Sequence, residues 1–401
     1  MKLELQRQNF LKAWQIAERF SAPTTAKTPK DSISGIFITA TEGNNVTLEA
    51  TDLKTSCSCK AEGVNVLEPG FAVIPASIFG GMLKKSASDD LILEINSSRG
   101  FLSSGRNKTR FTIISPEEFP KIPQSSSAEE ICTMLGADIS SLINEGATAA
   151  SQPMDFPKYM GTCLLKTEEN TVRCLSTDGK RLSISKFPYE IKKADELLLP
   201  ANAMKDFAKM IAANYSDKNI KILADGSTVW FNIEDVEFSA RRIDANFPKY
   251  ERILNNEVRT KLTISTGELL SVIERIDVIA KNTPMHLMIM ELNPEGKLTI
   301  STRAPEMGTA SEIIDAKVEG EFLRIGFNVP YLQDGLKAVG AGNAYIEFSS
   351  DEGQTRIYRD GHDDFLYMVM PTRLTSQDLI SDDDESNDYQ PQNEQERESE
   401  N

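Results

Sequence analysis

The sequence predicts an α+β fold in which one unit of about 125 residues is repeated three times, each laying its helices on one face of antiparallel sheets. Three observations predict it. Markers recur at a nearly constant interval. The recurring segments alternate apolar and polar residues on either side of a turn, as half-buried strands do. Between them lie segments whose apolar residues recur at helical spacing.

The first marker is an apolar strand that runs into a proline and then into a helical pattern. FAVIPASIFGGML places Pro75, ELLLPANAMKDFAKM places Pro200 after 125 residues, and RIGFNVPYLQDGLKAV places Pro330 after a further 130. Proline suits the first helical turn, where its missing N–H is unpaired anyway. The second marker is a hairpin. VTLEATDLKTSCSC carries Thr51-Asp52, VRCLSTDGKRLSIS carries Thr177-Asp178 after 126 residues, and KLTISTRAPEMGTASEI carries Thr302 after another 125 without the Asp. The third is Phe-Pro-Lys, at 119–121 and again 128 residues on at 247–249; FLYMVMPTRL closes the third unit. The expected domains are 1–125, 126–254 and 255–374, followed by a tail, 375–401.

Each unit opens with a strand and a helix. KLEL alternates, then Phe10, Ala13, Trp14, Ala17 and Phe20 make one apolar face. In unit three, Ser265 and Glu268 predict a capping box, ahead of a buried stripe of Leu269, Val272, Ile273 and Ile276.

Net charge is −16, but nine of those charges belong to residues 375–401, which hold ten carboxylates and one cation, Arg397. With almost no aromatic or branched residues, this acidic tail is expected to be disordered. No apolar run approaches the roughly 20 residues of a membrane span, and MKLELQRQNF has no apolar signal core, so the cytoplasm is the expected location. Five scattered cysteines do not read as a disulfide framework. Cys57 and Cys59 read as small hydrophobes on one strand face rather than a metal site.

No catalytic set emerges, and neither a metal nor a cofactor is expected. His286 and His362 read as surface or turn residues, and GKRL at 179–182 lacks the upstream glycine of a phosphate loop. Asp52 and Asp178 occupy equivalent places in different units, which favours turn-ordering Asx hydrogen bonds over a shared metal. Cations do gather on expected helices: Arg7, Lys12 and Arg19, Lys84-Lys85, Lys205 with Lys209, and Lys337. For any single helix this reads as a solvated face. Repeated on equivalent helices of an acidic body, it points to a duplex-facing surface.

The threefold unit, STDGKRLSIS, ANFPKY and YMVMPTRL together resemble the bacterial DNA polymerase III beta subunit, the beta sliding clamp family, over roughly residues 1–374. The resemblance implies clamp domains that close as a six-domain ring in a homodimer, without enzymatic activity. It implies that duplex DNA is encircled regardless of sequence, and that the replicative DNA polymerase, a clamp-loader ATPase and other clamp-binding repair and replication proteins are partners. By motif, the partner-peptide pocket falls on Met160, Thr177, Gly179, Lys180, Arg181, Leu182 and Pro248. It continues on Ile253, Tyr331, Met368, Val369, Met370, Pro371 and Arg373, although Met368–Met370 reads equally as a core strand. The DNA-facing candidates are Lys27, Lys84, Lys85, Lys158, Lys205 and Lys209. Residues 22–34 depart from the family pattern around Lys27. The dimer contact implied sets Phe111 and Ile113 against Val278 and Ile279 of a second copy.

Two other classes stand beside this one: a metal-dependent nuclease or hydrolase using Asp52 or Asp178, and a protein-only scaffold. In the tail, Gln377-Asp378-Leu379-Ile380 loosely resembles the Gln-x-Leu peptides that such clamps bind. A solvated polyanion is the plainer reading.

Overall fold

The computed structural model describes residues 1–23, 31–151, 157–254, 257–361 and 363–375; the acidic tail beyond Thr375 lies outside them. Twenty-six strands and six α-helices are found among these residues. The first repeat runs β1 (Lys2–Gln6), α1 (Arg7–Glu18), β2 (Gly35–Thr41), β3 (Asn45–Thr51), β4 (Thr55–Lys60), β5 (Val64–Glu68), β6 (Gly70–Pro75), α2 (Ala76–Lys85), β7 (Asp90–Asn96), β8 (Arg99–Ser104) and β9 (Asn107–Thr112). The second runs β10 (Glu129–Leu135), α3 (Gly136–Gly146), β11 (Thr162–Glu168), β12 (Thr171–Thr177), β13 (Arg181–Pro188), β14 (Asp195–Pro200), α4 (Ala201–Asn214), β15 (Asn219–Ala224), β16 (Thr228–Ile233) and β17 (Val236–Arg241). The third runs β18 (Thr260–Ser265), α5 (Thr266–Ala280), β19 (Leu287–Asn293), β20 (Lys297–Ala304), β21 (Gly308–Asp315), β22 (Lys317–Gly320), β23 (Leu323–Asn328), α6 (Val329–Val339), β24 (Asn343–Phe348), β25 (Thr355–Arg359) and β26 (Phe365–Val369).

The chain forms two compact units, Met1–Lys249 and a second beginning at Tyr250. In the first unit, one sheet has the order β5-β1-β7-β8-β9. An eight-stranded sheet, β10-β15-β16-β17-β4-β3-β2-β6, joins the first repeat to the second. The joint is the antiparallel pair β17–β4, from Val236 opposite Cys59 to Ala240 opposite Thr55. The Ser56 and Ser239 hydroxyls meet across it at 2.5 Å. Strands β14-β11-β12-β13 follow one another in the second repeat. In the second unit the orders are β26-β25-β24-β18-β22 and β21-β20-β19-β23.

The predicted helical stripes are the core. Phe10, Trp14 and Ala17 are fully buried, as are Leu269, Ile273 and Ile276. Trp14 lies 4.7 Å from Phe79 of α2, and its indole N–H donates to the Ala76 carbonyl at 3.1 Å. All three expected hairpins form, as β3–β4, β12–β13 and β20–β21. Phe-Pro-Lys follows the last strand of both repeats: Phe119 stacks on Phe37 at 5.3 Å, and Phe247 meets Tyr159 edge-on at 6.2 Å. In every repeat the chain leaving the last strand returns one N–H to an equivalent carbonyl. Ile114 donates to Val73 at 2.9 Å, Ile243 to Leu198 at 2.8 Å and Thr372 to Gly326 at 2.8 Å.

Two local expectations need correction. Pro75 and Pro200 directly precede their helices, but Pro330 is the second residue of α6. There Asn328 is the cap, its side chain accepting from the Tyr331 N–H at 3.2 Å. Proline is tolerated at either position because neither N–H has a helical partner. The Ser265 capping box does not form, since Ser265 makes no side-chain cap. It remains a strand residue, paired with Asn343.

Candidate functional site

The hairpin turn between β12 and β13 is built by its own sequence. Thr177 Oγ1 donates to the Arg181 carbonyl at 2.6 Å and accepts from the Gly179 N–H at 3.1 Å. Asp178 Oδ1 accepts from the Lys180 and Arg181 N–H groups at 2.9 and 3.0 Å, a turn-ordering Asx arrangement. Gly179 takes φ +85, the left-handed region that glycine adopts without a Cβ clash. A Cβ there would stand 3.4 Å from Met160 Cε. Arg181 pairs with Asp178 at 2.9 Å, with both side chains under 10% exposed. Lys180 is exposed, Leu182 buried and Pro248 half-buried. Met160, Thr177, Gly179, Lys180, Arg181, Leu182 and Pro248 all belong to the first unit.

The remaining pocket candidates belong to the second. Ile253 is 45% exposed on a short turn, Glu251–Ile253. That turn is tied to β25: the buried Gln354 amide donates to the Ile253 carbonyl, and Arg356 to the Leu254 carbonyl at 3.0 Å. Tyr331 is the third residue of α6, and its carbonyl accepts from the Tyr367 hydroxyl at 2.8 Å. Met368 and Val369 are 3% and 1% exposed, whereas Met370 is 45% exposed. Met370 is thus the accessible residue of that trio, and Pro371 is half-buried. Arg373 pairs in solvent with Glu352 at 2.8 Å and lowers that carboxyl's pKa. The sequence offered no sign of Gln354 and Arg356, which act across about a hundred residues.

Asp52 repeats the Asx role, accepting from the Lys54 and Thr55 N–H groups at 2.9 and 2.6 Å. Neither aspartate belongs to a group of three or more candidate metal ligands among the described residues. His286 bonds Asp277 in the turn after α5, and His362 lies outside the described residues. Cys57 and Cys59 are buried, and burial pushes the Cys132 thiol up to about 12.

The cationic candidates differ among themselves. Lys85 and Lys158 are exposed. Lys84 pairs with Glu18 at 3.1 Å and Lys209 with Asp206 at 3.5 Å. Lys205, expected on an open face, is half-buried beside the Met204–Phe207 stripe of α4. Lys27 lies outside the described residues. Among the first helices, α1 exposes Lys12 and is followed by the exposed Arg19, α3 has no Lys or Arg, and Arg275 of α5 is held by both Glu312 oxygens at 2.7 and 2.6 Å.

Family profiles for the DNA polymerase III beta subunit match in order along the chain. The N-terminal domain matches residues 1–123, the central domain 136–249 and the C-terminal domain 251–373. The chain belongs to the DNA polymerase III beta subunit family. The beta sliding clamp of Synechococcus elongatus is 27% identical over 354 residues, covering 86% of this chain and 92% of that protein. That of Staphylococcus aureus is 26% identical over 313 residues, covering 77% and 82%. Among solved structures, the DNA polymerase sliding clamp from Bacillus subtilis gives a TM-score of 0.85 at 22% identity, covering 94% of this chain and 100% of that one. The DNA polymerase III beta subunit from Thermotoga maritima gives 0.85 at 24% identity, covering 93% and 100%.

For a beta subunit the sheet edges matter, and here one residue expected at the dimer contact is corrected. Phe111 is 7% exposed. It sits opposite Gly100, whose missing side chain makes room for the ring, and lies 5.4 Å from Phe79 in its own core. Ile113 also packs on that core. β9 and its turn instead expose Arg106, Asn107, Lys108, Thr109, Arg110 and Thr112. In the third repeat Val278 is 59% exposed and Ile279 half-buried. Sequence reasoning missed Ile313, 66% exposed on β21, and Met307, 63% exposed on the turn before it. The period-two pattern of GTASEIID could have exposed Ile313.

Proposed function

We infer that two copies of this chain close head to tail into a six-repeat ring that encircles duplex DNA and tethers the replicative polymerase. The observation that carries this reading is how the first two repeats join. The last strand of the second repeat, β17, pairs with β4 of the first. The counterpart of β17 in the first repeat is β9, at the end of its sheet; the counterpart of β4 in the third repeat is β21, also at the end of its sheet. Open edges template further pairing, and a second copy pairs β9 with β21 twice, which closes the assembly. The charges agree: Arg106 and Arg110 lie on the β9 hairpin and Glu306 on the turn before β21, while Glu312 and Asp315 are paired with Arg275 and Lys297 of the same chain.

The exposed cations of α1 and of the second helices α2, α4 and α6 face DNA through non-specific phosphate contacts. Peptide partners, among them polymerase, loader ATPase and repair proteins, engage Met160 and the Gly179 hairpin. The protein acts in the cytoplasm as a tether, without catalysis of its own. No helix among the described residues is long and apolar enough to cross a membrane.

The test of closure is the oligomeric state. Val278→Ala with Ile279→Ala removes aliphatic surface worth about 1.5–3 kcal/mol per fully buried side chain, once at each of two interfaces. Light scattering should show a wild-type dimer and folded double-mutant monomers. A double mutant that stays dimeric at nanomolar protein overturns this assignment of the interface.

A further inference from the structure

The outer sheet face of the first repeat differs from the other two at one equivalent position. The strand pairs there are Thr39 opposite Phe71, Lys166 opposite Glu196 and Glu291 opposite Arg324. Their equivalence rests on the neighbouring carbonyls of Val73, Leu198 and Gly326, each of which takes the returning N–H. In the second repeat the position is an ion pair at 3.1 Å, and in the third Arg324 bonds Glu291. The first repeat has instead an aromatic ring 61% exposed.

That ring is not isolated. Phe71 stacks on Phe37 at 6.0 Å, and Phe37 on Phe119 at 5.3 Å. The counterparts of Phe37, Leu164 and Ile289, are 5% and 8% exposed, whereas Phe37 is half-buried. Three carboxylates neighbour the rings across a strand or along the chain, against one exposed cation, Lys121, two residues after Phe119. Glu49 lies directly across from Phe37, where the second repeat has Leu175 across from Leu164. Glu117 and Glu118 are exposed just before Phe119. Burial alone raises the Glu49 pKa, so its charged form lacks compensation. The strand edge is also suited to a guest. β6 ends its sheet, Val73 uses its outer carbonyl for Ile114, and Phe71, two residues along, turns its main chain to that same side.

We propose that Phe71, Phe37 and Phe119, with Glu49, Glu117 and Glu118, form a docking surface for an extended partner peptide that alternates cationic and apolar residues. Its main chain adds to the β6 edge, its apolar side chains lie on the rings, and its arginine or lysine heads meet the carboxylates and the exposed face of Phe71. The surface belongs to the first repeat and is separate from the peptide pocket proposed above.

The test uses the full-length protein and three synthetic peptides: Gly-Arg-Val-Arg-Val-Arg-Gly, and versions with Gln or Glu for Arg. Hydrogen exchange of amides 70–75 and peptide anisotropy are followed together. The Arg peptide should slow exchange in β6 and bind saturably, the Gln peptide at least tenfold more weakly, and the Glu peptide not at all. Phe71→Ser should weaken the Arg peptide at least tenfold without changing the melting temperature, and Phe71→Trp should retain binding. An Arg peptide that leaves β6 exchange unchanged, as one held by the acidic tail would, overturns the proposal. So does equal binding by Phe71→Ser or by the Gln peptide, or β6 protection that grows with protein concentration alone, which would mark a second copy as the occupant.

Discussion

The turns Thr51–Thr55 and Thr177–Arg181 share one set of side-chain-to-main-chain hydrogen bonds, made by the same Thr-Asp pair, but differ in the residues that follow. In both, the threonine hydroxyl donates at 2.6 Å to the carbonyl four residues on, and the aspartate accepts from the two N–H groups that close the turn. The third residue is left-handed in each, Leu53 at φ +74 and Gly179 at φ +85. The turn therefore belongs to the fold. What differs is the surface it presents. Gly179 leaves room beside Met160, and Arg181 is a buried partner for Asp178. The first repeat fills the same places with an exposed leucine and with Thr55, whose hydroxyl donates to Asp52 at 3.0 Å.

Removing the two aspartates sharpens the contrast most. Asp178→Ala loses the turn's hydrogen bonds and also the charge-assisted bond to the Arg181 guanidinium, together about 3–5 kcal/mol. Asp52→Ala loses only hydrogen bonds, about 1–2 kcal/mol. Urea titrations of the two variants should separate them by a wide margin; equal midpoints would mean that the Asp178–Arg181 pair adds nothing to the turn.

Exchanging the third residues comes next. Gly179→Leu forces a side chain into the left-handed region at about 1–2 kcal/mol and against Met160, and should abolish binding of a labelled Gln-x-Leu peptide. Leu53→Gly should stabilise by about 0.5–1 kcal/mol with peptide affinity unchanged. If Gly179→Leu binds the peptide as wild type does, the pocket does not include this hairpin.

The smallest effect concerns Glu49, whose counterpart is the buried Leu175. Burial raises the folded pKa of Glu49 above its ordinary value. The folded state therefore holds that proton more tightly than the unfolded state does. This favours folding below the unfolded value, near about pH 4, and the advantage is lost as pH rises through the folded pKa. Glu49→Leu should raise the melting temperature at pH 7 more than at pH 4; the reverse order would mean that the carboxylate is stabilised in its charged form.

Period and punctuation were legible in the sequence because each repeat must bury the same faces: Phe10 and Trp14, Leu269 and Ile276, and the hairpins all lie as their spacing implies. The offset of Pro330 was not, because proline fits both the residue before a helix and its second position. Phe111 was misread because its place is decided by Gly100, a residue on the next strand. The pairing of Lys84 with Glu18, 66 residues apart, is likewise set by how α1 and α2 pack. The pocket rests on motif alone, whereas the burial of Met368 and Val369 and the exposure of Met370 depend on tertiary packing that one strand's sequence does not display.

The central claim is that DNA is held by closure of the ring. Phosphate contacts alone give affinities of roughly 10⁻⁴–10⁻⁶ M and weaken steeply with salt. The protein is loaded by a clamp loader onto nicked circular DNA, washed at high salt, and counted per circle before and after a restriction enzyme linearises it. Encirclement predicts that the protein survives the salt wash on the circle and slides off once the circle is cut. Equal loss to salt from circular and linear DNA, or retention after cutting, would contradict it.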